Sequence, residues 1–554
     1  MKWVALLLLG LGGMGVGDGI AQGHQHGGGP ERMPPMARGM EMPMIPGMEG
    51  VRPAMTPFLP GAGVDPASLP AARPRQLLDL ADGDSIDLTA MLVRRRLRGQ
   101  DHVMYGFNGQ IPGPMIRVAE AATITVRFLN RLDLASAVHW HGIRLDNRYD
   151  GAPGVTQDPV PVGGEFVYRI HFPDPGIYWY HPHVREDIQQ DLGLYGNLVV
   201  QSSDPGYYSS VNAEEVLMLD DLLLDDEGIL PYGGDVANFA IMGRFGTMFL
   251  VNGEPDYALT VRRGDVVRFL LTNVANTRTF NLSFGTARIK LVGADIGNFE
   301  REQMVESIVI APAQRYVVEV QFTEPGPQAI TNRVQGLNNF QGEFQPMVDT
   351  LGLVTVEDDP TAQDHGAAFR TLRTNRTVTE SVEPYRRHFT RAPDKDLLLT
   401  VSIQGMPIPI TAFMSVDTTY FPPQEWVDGM RDMNWVATTK EVRWIMRDRT
   451  TGKENNDVAW TVARGDVLKV RMHNDERSVH PMSHPIHFHG QRLLITARDG
   501  VPEEDLVWRD TILVPVGSTV EFLVEATNPG RWMAHCHIAE HLEAGMHMVF
   551  TVTP

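Results

Sequence analysis

Three fifteen-residue windows of this chain repeat one pattern: IRVAEAATITVRFLN at 116–130, LTVRRGDVVRFLLTN at 259–273 and WTVARGDVLKVRMHN at 460–474. Each reads as a short strand rich in β-branched residues, a tight turn that is Gly-Asp in the last two copies, and a second alternating strand. Repetition at this spacing implies three related units. Short strands bounded by Gly, Pro and Asn recur between the windows, as in VVRFLL, YVVEVQF and TVEFLVEA, whereas helix-period patterns are few. The expected fold class is therefore all-β: three Greek-key β-sandwich domains at 76–203, 204–358 and 395–554, with a polar connector at 359–394. At 554 residues the chain is long enough to bury three cores.

Residues 1–21 carry one basic side chain, Lys2, then an apolar run from Val4 to about Val16 and a Gly19-Ile20-Ala21 end that suits a signal peptidase. This reads as a secretory signal peptide, since the run is shorter than the ~20 residues a membrane span needs. A secreted or periplasmic protein with no membrane span is expected. Residues 22–75 are dominated by Gly, Pro and Met, with His24, His26, Met33, Met36, Met40, Met42, Met44, Met48 and Met55. Such a segment builds no core and reads as a flexible leader. Its thioethers and imidazoles are soft donors that suit Cu(I), so it is either a copper-capturing tail or simply a spacer. The formal charge of -20 repels nucleic acid and anionic lipid. An exported chain is free to use disulfides, yet there is a single cysteine, Cys536, and no intrachain bridge is possible.

Four His-x-His pairs stand out: His139/His141, His181/His183, His487/His489 and His535/His537. In an extended strand residues two apart share a face, so each pair presents two imidazoles side by side. The pairs are duplicated between the outer units. HWHG at 139–142 matches HFHG at 487–490, and DPGIYWYHPH, ending at His183, matches NPGRWMAHCH, ending at His537. Eight imidazoles would meet if the first and third units pack together, and imidazole suits copper, zinc and iron. The middle unit has no His and no Cys and reads as a spacer. Cys536 lies between His535 and His537, so its side chain faces the opposite way, toward a second site. His541 and Met546 follow it and His484 precedes it. Two His, one Cys and a weak axial Met form the ligand set of a blue-copper electron-transfer centre. The counterpart of Cys536 in the first unit is Pro182, so that unit cannot host such a centre.

HWHG, HPH, HPIHFHG and HCHIAEHLEAGM stand in the order and spacing of the multicopper oxidases, the laccases and metallo-oxidases, and the resemblance covers residues 76–554. It implies three cupredoxin-like domains and four copper ions. By resemblance, type 1 copper is held by His484, Cys536, His541 and Met546, and type 2 copper by His139 and His487. The two type 3 coppers take His141, His181 and His537, and His183, His489 and His535. It further implies that a donor passes single electrons to type 1 copper, near the surface through His484 or His541. Cys536 then carries them to the cluster, where dioxygen is reduced to water. Asp150, in an Asp-Gly turn, resembles the family's proton-supplying acid, against the alternative of an ordinary turn residue. Asp510 in WRDTI is a candidate acceptor for a ligand His or a solvated strand-end residue. His480 and Met482 are placed to border the type 1 site.

Several bacterial members carry Glu directly after the last type 1 His, where this chain has Leu542, which leaves open whether Glu540 or Glu543 compensates. An axial Met546 implies a lower potential and easily oxidised donors. The expected function is a laccase-type oxidase of phenolic or aromatic-amine donors. The alternative is a metallo-oxidase acting on Cu(I), Fe(II) or Mn(II), supported by the Met-rich leader and by Met414, Met430 and Met433. A cupredoxin scaffold without catalysis should have lost ligands, and all twelve ligand positions are filled. A two-domain nitrite reductase would lack the third repeat and HCH. Dioxygen and a small donor are the expected partners, with no nucleic acid, and the chain is expected to be a monomer. Cys536→Ser is expected to abolish the blue absorbance and nearly all turnover while leaving the fold intact; normal oxygen uptake in that variant would contradict the assignment.

Overall fold

The structure, a computed structural model, describes residues 55–338, 343–406, 424–426 and 436–554. The signal segment, the leader up to residue 54, and Met414, Met430 and Met433 lie outside the described residues. Strands dominate, and the described α-helices are short, the longest being Arg376–Val382. Among the described residues no helix is long and apolar enough to cross a membrane.

The strands form three two-sheet sandwiches. In the first, a four-stranded sheet ordered Gln100–Phe107, Ser85–Leu97, Thr123–Arg131, Glu165–His171 faces a five-stranded sheet ordered Leu77–Asp79, Met115–Ala119, Gly196–Gln201, Gly176–Pro182, Val138–His141. The second pairs two six-stranded sheets, and the third a seven-stranded with a five-stranded sheet. These are three cupredoxin-like β-sandwiches.

The repeated windows are not hairpins within one sheet. Their strands Met115–Ala119 and Thr123–Arg131 lie in opposite sheets of the first sandwich, as do Tyr257–Arg263 and Val266–Asn273 in the second and Ala459–Ala463 and Val467–Asn474 in the third. Each window is the corner by which the chain crosses the core. The sixth residue of each window has positive φ, +67° at Ala121, +97° at Gly264 and +92° at Gly465. That left-handed step favours glycine, which explains the Gly-Asp of the last two copies.

The last residue of each window is a buried Asn with an equivalent task. Asn130 Nδ2 donates to the carbonyls of Leu134 and Val160 at 2.9 Å each. Asn273 Nδ2 donates to those of Arg278 and Ile310 at 2.7 and 2.8 Å. Asn474 Nδ2 donates to those of Met482 and Val514 at 2.7 and 2.9 Å. Each amide thus ties down the loop that leaves its strand.

One stretch behaves differently from the sequence reading. Residues 55–75, expected within the flexible leader, are laid along the sandwiches. Pro57–Phe58 pairs with Tyr232–Gly233, Gly61 N–H donates to Asp133 Oδ2 at 2.7 Å, and Ala72 N–H to the Arg94 carbonyl at 2.8 Å. Backbone groups make these contacts, so Gly and Pro composition does not disclose them. Within 359–394, the helix Arg376–Val382 and the 3₁₀ turn Glu383–His388 fill the seam beside the second and third sandwiches.

Replacing Asn273 by Ala strands two buried carbonyls in the sandwich that holds no candidate ligand. A loss of about 2–4 kcal/mol is expected, read as a lower denaturant midpoint; an unchanged midpoint would refute the tethering role.

Candidate metal centre

Alternation along four strands sorts core from site. In Val138–His141, the Trp140 indole packs against Tyr168 and Tyr180 at centroid distances of 5.5 and 5.6 Å, so His139 and His141 point the other way. In the third sandwich, Phe488 packs on Phe522 and Phe550 at 5.7 and 5.6 Å, and His487 and His489 face outward from that core. Strand pairing then matches the two outer units residue for residue. His139 lies opposite His181 in one sheet, and His487 opposite His535 in the other.

The eight imidazoles meet in one buried space. The rings of His141, His181 and His537 are 5.7, 5.0 and 5.0 Å apart, and those of His183, His489 and His535 are 5.0, 5.2 and 5.1 Å apart. His139 and His487 are 5.6 Å apart. His139 is nearer to other members, 5.4 Å from His181 and 4.0 Å from His489, so ring spacing alone does not assign it to one trio or pair.

One ring nitrogen of six of these imidazoles is hydrogen-bonded to oxygen, and that of a seventh, His183, stands beside a carboxyl without a hydrogen bond. Carbonyls accept from Nδ1 of His139 (Asp150, 2.7 Å), His181 (Pro182, 2.9 Å), His487 (Asp510, 2.9 Å) and His535 (Cys536, 3.0 Å). Carboxylates face His489 Nδ1 (Asp150 Oδ2, 2.9 Å), His141 Nε2 (Asp510 Oδ1, 3.0 Å) and His183 Nδ1 (Glu186 Oε1, 3.2 Å). A carbonyl can only accept, so the proton sits on the bonded nitrogen and the other keeps its lone pair. Among the described residues, Nε2 of His139, His181, His183 and His487, Nδ1 of His141 and both ring nitrogens of His537 have no hydrogen-bond partner. Nε2 of His489 and of His535 face each other at 3.1 Å. Two unprotonated nitrogens at that distance repel unless a cation lies between them. Burial first, and neighbouring imidazoles after it, hold the pKa values of His141, His181, His183, His489, His535 and His537 well below the ordinary value. Neutral imidazoles with orphaned lone pairs are the donors that copper takes.

Asp150 and Asp510 hold this arrangement in mirrored fashion. Each gives its carbonyl to a His of its own sandwich, His139 or His487, and its carboxylate to a His of the other, His489 or His141. Asp510 is fully buried, so the solvated strand-end alternative does not hold. Burial pushes its carboxyl up, but the Arg315 guanidinium outweighs this and keeps it well below the usual carboxylate range. Glu186 was not singled out from sequence, because nothing in HPHVRE distinguishes a buried helix-start Glu from an exposed one. Burial, reinforced by Glu543, drives its pKa well above the usual range. Glu540 and Glu543 are both pushed up to about 8, chiefly by burial. Glu540 accepts from Asn276 Nδ2 and Thr277 Oγ1 at 3.1 and 2.9 Å rather than from a candidate ligand.

On the opposite face of the strand Gly530–Cys536 lies the second site. Cys536 Sγ is 3.6 Å from His484 Nδ1 and 3.8 Å from His541 Nδ1, and the two nitrogens are 3.3 Å apart. Met546 is buried, and its carbonyl accepts from the Cys536 N–H at 3.0 Å. Burial, with His480 second, lowers the His484 pKa to about 3, and burial pushes the Cys536 thiol up. A metal taking this sulfur must therefore displace its proton. The expected surface approach through His484 or His541 is not seen at the rings themselves, which are both 0 % exposed. Trp444 stacks on His541 at 4.0 Å and meets His484 edge-on at 4.9 Å, and its Nε1 donates to the Ala240 carbonyl at 2.8 Å. This cover comes from a different part of the chain than any ligand motif, so spacing could not reveal it.

Family profiles described as multicopper oxidase match residues 91–205, 229–354 and 412–554. A copper resistance protein A homolog of Pseudomonas syringae pv. tomato is 24 % identical over 84 % of this chain and 92 % of its own length. Laccase-1 of Melanocarpus albomyces is 25 % identical over 81 % of this chain and 74 % of its own. A solved multicopper oxidase of Campylobacter jejuni, described as a metallo-oxidase, superposes with a TM-score of 0.66 at 22 % identity, over 89 % of this chain and 97 % of that one. With its three matched segments, its paired histidines and its lone thiol between them, the chain belongs to the multicopper oxidase family, an oxidoreductase that uses copper and dioxygen.

Proposed function

We propose that this multicopper oxidase takes its electrons from a reduced metal ion, Cu(I) foremost and Fe(II) or Mn(II) by the same route, as a metallo-oxidase in metal homeostasis. The observation that carries the reading is the burial of both His484 and His541 beneath the Trp444 ring. A phenol or aromatic amine gives up an electron best when its ring meets an exposed imidazole edge, and neither imidazole offers one, both being 0 % exposed. Met482, two residues before His484, adds a soft side chain to this region. The relatives named for copper resistance and the structural relative described as a metallo-oxidase agree with this choice. Export to the periplasm or beyond, read from residues 1–21, would place the enzyme where such ions are met.

In this reading His484, Cys536, His541 and Met546 hold type 1 copper, and His139 and His487 hold type 2. His141, His181 and His537 hold one type 3 copper, and His183, His489 and His535 the other. When bound, the coppers supply one-electron transfer and the reduction of dioxygen to water. The chain contributes the rest. Trp444, held by the Ala240 carbonyl, covers one face of His541. The bonded path from Cys536 Sγ through its own backbone to His535 and His537 joins the two sites. Asp150 holds His489 through Oδ2 while its Oδ1, buried and without a hydrogen-bond partner, is placed to pass a proton toward the eight-imidazole space.

A second reading, oxidation of phenolic or aromatic-amine donors, draws on a depression of about 250 Å³ lined by residues including Asn455, Asp457, Gly545 and His547, next in sequence to Met546. An organic donor could approach there, as the likeness to a laccase allows.

Oxygen uptake by the copper-loaded protein, compared for Cu(I), Fe(II) and a phenol, separates the two. We expect kcat/KM for a metal ion to exceed that for the phenol by about tenfold or more, roughly 1.4 kcal/mol of barrier. Trp444→Ala, with blue absorbance retained, should raise the phenol value by about tenfold. A phenol preferred by the wild type and indifferent to Trp444 would instead favour the depression beside Met546. Asp150→Asn should keep both the His489 contact and the copper content while lowering kcat by about 10²-fold or more; an unaltered kcat would reduce Asp150 to a turn residue.

A further inference from the structure

The middle sandwich supplies no ligand, yet one of its side chains reaches the cluster. Arg315 begins the strand Arg315–Gln321 of that sandwich and is fully buried. Its Nη1 donates to Asp510 Oδ1 at 2.6 Å and its Nη2 to Asp510 Oδ2, a bidentate fork on a residue of the third sandwich. Its Nε donates to the Ile177 carbonyl of the first sandwich at 3.0 Å, and Nη1 also reaches the Ala313 carbonyl at 3.0 Å. Its own N–H donates to Asp295 Oδ1 at 2.9 Å, so the base of the side chain is fixed as well. One guanidinium therefore touches all three sandwiches.

What it holds is the residue that orients two proposed ligands. Asp510 faces His141 Nε2 with Oδ1 and accepts from His487 Nδ1 with its carbonyl. The same point is crowded from the first sandwich by Gly142, the last residue of HWHG. Its φ is +84°, and a Cβ there would stand 2.3 Å from Asp510 Oδ2 and 2.8 Å from Arg315 Nη2. That glycine leaves room for the fork. The mirrored Asp150 lacks such a clamp, and its Oδ1 has no hydrogen-bond partner. A carboxylate pinned at both oxygens can swing neither away from His141 nor out of the plane that sets the His487 carbonyl contact.

We propose that Arg315 is a positioning residue for the copper cluster, fixing the orientations of His141 and His487 through Asp510, and that supplying this clamp is a function of the ligand-free middle domain. The proposal rests on the assignment of His141 and His487 to type 3 and type 2 copper given above. The partners that orient metal-bound imidazoles commonly matter by 10–100-fold, and Lys, a point charge, cannot reproduce the fork.

The test uses the copper-loaded full chain with Arg315→Met, Arg315→Lys and, as a control, Arg268→Met, which breaks a buried pair with Glu319 elsewhere in the same sandwich. In Arg315→Met we expect an altered type 2 electron paramagnetic resonance signal and a weakened near-ultraviolet type 3 band. Its kcat should fall by about 10–100-fold, with donor KM within twofold and the blue type 1 absorbance kept. Arg315→Lys should fall between it and the wild type, and Arg268→Met should lose stability with wild-type spectra. Wild-type type 2 and type 3 signatures in a folded Arg315 variant would overturn the proposal. So would failure of both Arg315 variants to fold, which would make the guanidinium a structural strut only. Absence of type 2 and type 3 signatures from the wild-type protein itself would instead remove the ligand assignment beneath it.

Discussion

Everything at the centre of this protein depends on keeping neutral imidazoles buried with their lone pairs turned toward one another. Left alone, such nitrogens would rotate to find protons or water, because an unmet buried acceptor costs about 1–3 kcal/mol. The fold prevents this by binding the opposite ring nitrogen of six of them to oxygens placed by the backbone or by buried carboxyls. Asp150 and Asp510 do most of the cross-linking, each joining an imidazole of one outer sandwich to an imidazole of the other. The domain seam and the metal centre are therefore the same structure.

Strand alternation delivers the rings to that seam. Trp140 and Phe488 anchor their strands in the two cores, which commits the flanking histidines to the opposite face. On the partner strand the same rule sends His535 and His537 inward and Cys536 outward, so the proposed electron-entry and dioxygen sites are separated by one strand yet joined by its covalent backbone. The asymmetry between the outer units, Cys536 against Pro182, follows from a single position.

The parts legible in the sequence were those that depend on period and spacing: the four His-x-His pairs, the outward thiol, the all-β class and the threefold repeat. The repeat nonetheless concealed its geometry, because a strand-turn-strand pattern looks alike whether the two strands pair or cross between sheets, and a left-handed turn residue suits both; only the strands' partners in the sheets separate the cases. The cover over the site at Cys536 and the clamp on Asp510 were not legible. Trp444 and Arg315 sit far along the chain from the motifs they serve, and an isolated Trp or Arg carries no period that announces its target. The same holds for Glu186, and for residues 55–75, whose ties run through the backbone. Asp510 shows the boundary well: its place beside a strand suggested two environments, and its complete burial against Arg315 and His141 decides between them.

The most direct test is anomalous diffraction at the copper edge from crystals of the loaded protein. The account predicts one peak beside Cys536, His484 and His541 and three peaks enclosed by the eight paired imidazoles. Copper beside Cys536 alone, or peaks scattered over unrelated histidines, would contradict it.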